Sequence, residues 1–221
     1  MNEGAESGLS NAFTDLMTSL AVVFILLLCA SLNNITEDVE STRSKILADL
    51  EVQLRDYDVK GVKVKSDPND PLALLILVPE GLLDFGVNKS EIPPPGVKFL
   101  SSFIPKLTDT LYSKEFRDAI SSVVVEGHTD SSGGDAKNLE LSQRRSMAVV
   151  SESIDKLKTS SGSPDSDNAK RDYFLRLLSA SGRGKQDLIM VNGQEDSQQS
   201  RRVIFKVRVR SFEERKLEKK L

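Results

Sequence analysis

The sequence contains a single cysteine, Cys29, a single histidine, His128, and no basic residue ahead of its one long apolar run. One cysteine excludes a disulfide framework within the chain. One histidine with no evident second ligand argues against a zinc site, so a structural hydrogen-bonding role suits His128 better. Net charge is small: 30 Lys and Arg against 33 Asp and Glu give −3. That balance gives no support to a nucleic-acid partner, which usually requires a basic domain. No acid–base pair or nucleophile arrangement suggests hydrolysis, so the chain reads as a non-enzyme without a cofactor. Its 221 residues suffice for one ordinary domain plus a short appendage.

What is present begins with NAFTDLMTSLAVVFILLLCASLNN from residue 11. Residues 12–32 are long enough to cross a hydrocarbon core of roughly 30 Å. The uninterrupted apolar part, AVVFILLLCA, covers residues 21–30, and the chain turns polar directly after it. A cleaved signal peptide needs a positive n-region, whereas MNEGAESGLSNAF has no Lys or Arg and leads to no small-x-small site. A lipoprotein signal ending at Cys29 would want small residues where three Leu stand. A retained transmembrane helix over 12–32 is therefore expected, after a tail at 1–11.

Asp15 is the anomaly in this span. An ionised carboxylate at the centre of a bilayer costs at least ~2.5–3.5 kcal/mol, and Asp15, some 10 Å from the midpoint, bears a smaller part of it. An acid that snorkels to the interface is one explanation. The helical spacing supports another, because Asn11, Asp15, Thr18, Ser19 and Val22 share one slim polar face. A single helix cannot satisfy that face or enclose an ion path, so a second copy and a larger membrane partner are implied. The carboxylate can carry a proton or coordinate Na⁺, with Thr14, Thr18 and Ser19 supporting the path; H⁺ and Na⁺ both remain open.

FTDLMTSLAVVFILL resembles the span of MotB-type stator subunits, whose motif is an aromatic, a small residue, then Asp-Leu-Met-Thr. Phe13 stands for the usual Tyr, Thr14 for Ala, and Asp15, Leu16, Met17 and Thr18 match directly. The resemblance implies that Asp15 is the ion-carrying group. It also implies that two such helices sit inside five copies of a MotA-like or ZorA-like subunit, with the N-terminus cytoplasmic.

Beyond the span, Ile35, Val39, Ile46, Leu50, Leu54 and Tyr57 recur mostly at spacings of four or seven. That pattern predicts an amphipathic connector helix within residues 33–66, pairing with its copy or packing on the domain. GVKVKSDPNDP reads as a turn-rich boundary. A domain over 67–212 follows, with a charged tail at 213–221. Strands are expected at 72–78, in SSVVVEGHTD, in DLIMVNG and in RRVIFKVRVR. Helices are expected in PPPGVKFLSSFIPKLTDTLYS, in NLELSQRRSMAVVSESIDKL with Met147, Val150, Ile154 and Leu157 as core stripe, and in RDYFLRLLSA. TSSGSPDSDNAK reads as a flexible excursion. The result is an α+β domain, a mixed sheet covered by helices on one face. Its strands are too short and few for a doubly wound nucleotide-binding fold, and the GRG at 182–184 lacks the setting of a phosphate loop.

Gly127-His128-Thr129-Asp130 ends a buried strand, and Arg145 follows on a helix. An acid and a planar guanidinium at that separation make either a clamp for a zwitterion or an intradomain ion pair. The helical wheel puts both Arg144 and Arg145 off the core stripe and does not choose between them. EGHTDSSGG followed by NLELSQRRSMAVV resembles the OmpA-like peptidoglycan-binding domain over roughly residues 70–210. The resemblance implies that Asp130 and Arg145 grip the diaminopimelate of the peptidoglycan stem peptide, with Thr129 and Asn138 shaping the pocket. The basic pair Arg201-Arg202 opens the last strand, although Ser200 stands where the family usually has Asn.

Because peptidoglycan lies outside the bacterial inner membrane, the resemblance implies a periplasmic domain and a cytoplasmic tail. This overrules the charge count, in which only Arg43 and Lys45 near the span speak for the opposite orientation. The expected function is a peptidoglycan-anchored stator of an ion-driven rotary motor. The short tail without basic residues, the segment DNAKRDYFLRLLSASG and the SRRV ending resemble ZorB-type subunits of Zorya anti-phage defence systems more than flagellar ones. A flagellar or gliding-type subunit, or a passive wall-binding protein without ion coupling, is the alternative.

Overall fold

The computed structural model describes residues 14–31, 44–46, 48–49, 52, 62–78, 81–83, 85–86, 88–158 and 164–210. The chain divides into two compact units, residues 1–41 and 42–221.

The first unit contains helix α1, Thr14–Ser31, with a mean hydropathy of 2.0 over its 18 residues. At 1.5 Å per residue it is about 27 Å long, close to the thickness of a hydrocarbon core. Every side chain on it is exposed, Phe24 and Leu27 among the most. An apolar helix exposed along its length is what a lipid-facing segment requires. Asn11, Ala12, Phe13, Leu32 and the tail lie outside the described residues.

The sheet of the second unit opens with β1 (Lys63–Asp67) and β2 (Asp70–Leu77), joined by a tight turn. GVKVKSDPNDP, expected as a boundary, is thus largely a strand and the turn of a hairpin. The turn chemistry was visible, but the alternating VKVK ahead of it carries too little apolar character to announce a strand. Of the expected connector helix, residues 44–46, 48–49 and 52 are described and helical; Ile46 is buried. Ile35, Val39, Leu50, Leu54 and Tyr57 fall outside the described residues, as does residue range 213–221.

Helix α2 (Pro94–Tyr112) starts on a proline, where a missing N–H costs nothing, and buries Phe99, Leu100, Phe103, Ile104, Leu107 and Leu111 along one face. Next come β3 (Ile120–Gly127), α3 (Asp135–Lys158), α4 (Pro164–Leu177) and β4 (Leu178–Gly182). The sequence TSSGSPDSDNAK is helical from Pro164 onward, as the start of α4. RDYFLRLLSA does not stay helical to its end: its last residues begin β4, which pairs parallel to β3 from Val123↔Leu178 to Gly127↔Gly182. Parallel neighbours need a long crossover, and α3 with α4 provides it.

DLIMVNG contributes only β5 (Met190–Val191), paired with β6 (Gln194–Glu195) in a separate ribbon. Asn192 and Gly193, both at positive φ, make the turn and cut the strand short. A four-residue helix, α5 (Ser197–Ser200), leads into β7 (Val203–Val209). The five-stranded sheet has the order β1-β2-β7-β3-β4, so the last strand is inserted at its centre. Phe205 of β7 lies 5.2 Å, ring to ring, from Phe103 of α2, which places the helices on that face. Lys206 and Arg208 alternate to the opposite face, where Lys206 pairs with Asp67 at 2.7 Å and Arg208 with Asp70 at 3.3 Å. The architecture is therefore the expected α+β one, a mixed sheet with its helices on one face.

Helix α3 corrects the expected core stripe. Met147 is 54% exposed and Ile154 only partly covered, while Leu141, Ser142, Arg145, Ser146, Val149, Val150, Ser153 and Leu157 line the inner side. The reason is closeness to the sheet. A Cβ on Gly182 would sit 2.6 Å from Gln143 N, and one on Gly127 would collide with the Ser142 carbonyl. The glycines beneath the helix allow this approach, so hydrophobicity alone misjudges which face is inward.

Candidate functional site

The close crossing of α3 over the ends of β3 and β4 builds the site. His128-Thr129-Asp130 leaves β3 with its backbone pinned on both sides: His128 N donates to Arg202 O at 2.9 Å and Thr129 N to Gly184 O at 2.8 Å. Ser142 Oγ on α3 accepts from Gly184 N at 2.9 Å, tying the helix to the same loop. The first turns of α3 then bring Asn138 and Arg145 over the loop. Thr129, Asp130, Asn138 and Arg145 all line one open cleft of about 420 Å³, together with Asn88 and Arg201. That is the scale of a site for an amino-acid-sized ligand.

Asp130 is held firmly. Its Oδ1 accepts from the Ser132 amide at 3.2 Å and from the Ser132 hydroxyl, and its Oδ2 accepts from Arg201 Nη1 at 2.7 Å. Burial by itself would raise the carboxyl, but the bonds from Ser132 and Arg201 together hold it below its ordinary value. It is a carboxylate at neutral pH. A carboxylate has about four acceptor positions, and the three bonds leave one for a donor in the cleft.

Arg145 is 2% exposed. Its Nε donates to Lys89 O at 3.1 Å and its Nη2 to Gly86 O at 3.2 Å, while its guanidinium lies 5.2 Å from the centre of the Phe85 ring. These contacts fix the fork over an aromatic face with its edge along the cleft. Arg144 points to solvent and pairs with Glu140 at 3.5 Å, one turn back. The structure thus separates the two arginines that the helical wheel left equivalent.

Asn138 donates from Nδ2 to Ser132 O at 2.8 Å and so shapes the loop that carries Asp130. Thr129 is 2% exposed, and its Oγ1 has no hydrogen-bond partner among the described residues. A buried hydroxyl without a partner beside a polar cleft is a group suited to a ligand.

Sequence reasoning missed Arg201 as a site residue, reading it only as the start of the last strand. Its signal was the paired arginine before β7; what it could not reveal is that β7 enters the sheet beside β3 and delivers Arg201 to Asp130. Ser132 was likewise invisible as a holder of Asp130. Ser131, next to it, donates from its amide to Glu195 Oε1 at 2.9 Å, which fastens the β5–β6 ribbon to the loop. Ser200 is fully buried and accepts from Ile189 N at 3.0 Å, so the departure from the usual Asn still supports the turn into β7.

His128 is buried. Its Nδ1 lies 3.3 Å from Gln186 O, and its Nε2 lies 3.9 Å from Glu126 Oε2 without a hydrogen bond. Burial, with Arg202 adding to it, pushes its pKa down to about 4. No group of three His, Cys, Asp or Glu suited to a metal occurs among the described residues.

In α1, Thr14, Asp15, Thr18 and Ser19 are all exposed, with Asp15, Thr18 and Ser19 at the three- and four-residue spacings that share a helix face. Thr18 Oγ1 donates to Thr14 O at 2.7 Å, which leaves the hydroxyl oxygen free to accept or to coordinate.

A mixed sheet with the last strand at its centre, and an acid–guanidinium cleft where β3 meets α3, define an OmpA-like domain. Residues 85–202, more than half of the chain, match the OmpA family, and the chain belongs to that family. Over nearly its whole length it is also similar to the Zorya protein ZorB of Escherichia coli O139:H28 (strain E24377A / ETEC). The identity is 28% over 214 residues, covering 91% of this chain and 80% of that one. ZorB of Escherichia coli ATCC 8739 is 24% identical over 213 residues, covering 89% and 86%. The crystal structure of a MotB-like protein from Desulfovibrio vulgaris superposes with a TM-score of 0.55 at 19% identity, covering 80% of this chain and 96% of that one. This last likeness establishes the shared fold.

Proposed function

We propose that this chain is the peptidoglycan-anchored, stator-like subunit of an ion-driven inner-membrane motor of the Zorya anti-phage kind. The observation that carries the reading is the cleft in which Asp130, Arg145, Asn138 and the unpartnered Thr129 hydroxyl converge. The Asp130 carboxylate has an acceptor position for an ammonium, and the Arg145 fork suits a carboxylate. The free end of a diaminopimelate in the stem peptide offers both groups on one carbon. The similarity to ZorB supports the motor context, and the exposed apolar α1 with Asp15 supports a membrane partner.

In this reading, α1 spans the inner membrane once, with the tail cytoplasmic and the domain periplasmic, where the wall is. Asp15 takes up and releases H⁺ or Na⁺, aided by Thr14, Thr18 and Ser19, at the junction with a MotA/ZorA-like subunit, five copies of which surround a dimer of this chain. Wall attachment holds the chain still, and ion passage turns the partner around it. The role is binding and ion transfer rather than covalent catalysis.

The test is co-sedimentation of the full-length, detergent-solubilised chain with purified cell-wall sacculi. Wild type is expected in the pellet and Asp130→Ala/Arg145→Ala in the supernatant. Equal pelleting of both would remove the cleft from wall binding.

A further inference from the structure

The helix-free face of the sheet should be uniformly polar, and at one end it is not. The register places Lys63 opposite Leu77 and Lys65 opposite Leu75, and Leu77 in turn opposite Ile204. Paired residues share a face, so an apolar floor of Leu75 and Leu77 on β2 and Ile204 on β7 spans two strands, with two lysines of β1 along its edge. Together with the segment before β7 these residues line a groove of about 270 Å³. Its lining includes Lys63, Lys65, Arg202 and Arg201, the last already paired with Asp130, and no Asp or Glu, in a chain whose net charge is −3. Lys206, farther along the same face, is neutralised by Asp67 and Asp70. Lys63 and Lys65 make no ion pair with a described residue. Arg202 donates to the Asp187 carbonyl at 3.0 Å, a neutral partner.

Arg201 lines both this groove and the Asp130 cleft, so one side chain borders the two. A ligand seated in the cleft is thus separated by the Arg201 side chain from a cationic, apolar-floored track. An uncharged chain would not repay the desolvation of Lys63, Lys65 and Arg202; an acidic, partly apolar peptide would.

We infer that the groove is a second subsite for the same ligand, taking the carboxylate-bearing part of the stem peptide that continues from the residue held in the cleft. The inference rests on the wall-binding reading proposed above. In chemical terms the occupant is an extended peptide with a free carboxylate one residue away from the zwitterionic end, paired with Lys63 and Lys65 while its aliphatic parts cover Leu75 and Leu77. Contact with an exposed ammonium is screened by salt, so the gain from the groove shrinks as ionic strength rises.

Calorimetric titration of the full-length chain in detergent tests this with three probes: meso-diaminopimelate, the tripeptide L-Ala-γ-D-Glu-diaminopimelate, and that tripeptide with its glutamyl carboxylate amidated. The acidic tripeptide is expected to bind roughly three- to tenfold more tightly than diaminopimelate, the scale of one or two exposed ion pairs. The amidated tripeptide should lose that gain, and so should the acidic one on Lys63→Gln/Lys65→Gln, with diaminopimelate affinity unchanged in the variant. Equal affinity of all three probes on wild type, or an undiminished gain in the double variant, would overturn the inference while leaving the cleft intact. A gain that persists while thermal stability or oligomeric state shifts in the variant would also overturn it, giving the groove to another segment of this chain or a second copy. Absence of diaminopimelate binding to wild type would remove the wall-binding reading itself, and the subsite with it.

Discussion

Arg201 Nη1 lies 2.7 Å from Asp130 Oδ2, across 71 residues of chain. One carboxylate oxygen is thereby committed to a cation of the same domain, and the other to Ser132. The domain orients its own acid before any ligand arrives, which is the arrangement binding sites use to limit the cost of ordering.

Removing Arg201 should loosen that orientation and raise the Asp130 carboxyl toward its ordinary value. A carboxylate with a depressed folded pKa contributes stability that is present above its unfolded value and lost as pH falls through the folded one. Wild type should therefore lose an increment of about 1 kcal/mol as the solution is acidified below the ordinary carboxylate range, and Arg201→Gln should lose less. Thermal midpoints measured between neutral and strongly acidic pH would show the difference; parallel curves would refute it.

Arg145 and Arg144 should behave oppositely. Arg145→Ala strands the Gly86 and Lys89 carbonyls and uncovers the Phe85 ring, a loss of about 1–3 kcal/mol in denaturant unfolding. Arg144→Ala removes only an exposed pair with Glu140 and should stay within about 0.5 kcal/mol of wild type. Sacculus binding should follow the same order.

His128 offers a pH readout that needs no assignment, since the chain has one histidine. Ring signals followed by NMR should titrate near 4. Because the unfolded state takes up a proton at about 6.5 and the folded state does so only near 4, stability should fall as pH drops through that window, by up to about 3 kcal/mol. Titration near 6.5 in the folded protein would contradict the burial described here.

Gly182→Ala should cost about 1–3 kcal/mol, because the new methyl meets the α3 backbone, which cannot swing aside as a side chain would. Gly134→Ala, where a Cβ meets nothing, is the control and should change unfolding little.

Asp15→Asn should abolish ion-dependent activity of the chain with its membrane partner and leave sacculus binding at wild-type level. Phage protection in cells, alongside sedimentation, separates the two. Retained protection would reduce α1 to an anchor.

The spacing of apolar residues alone determined α1, the α2 core face and β7, because long periodic segments reflect burial directly. Asp130 and an arginine of α3 were also legible in a local polar motif, whereas the choice of Arg145 over Arg144, and the places of Thr129 and Asn138, came from the resemblance to the OmpA-like domain. What the tertiary structure decided is where small residues matter and which distant residues meet. Ser142 faces inward, as do Ser146 and Ser153, although hydrophobicity favours Met147; at Ser142 the reason is that α3 lies against Gly127 and Gly182. β4 is a strand although LSASG continues a helical pattern, because it completes the sheet beside β3. Arg201 reaches Asp130 only because β7 pairs in the middle of the sheet, a long-range pairing that no local propensity encodes.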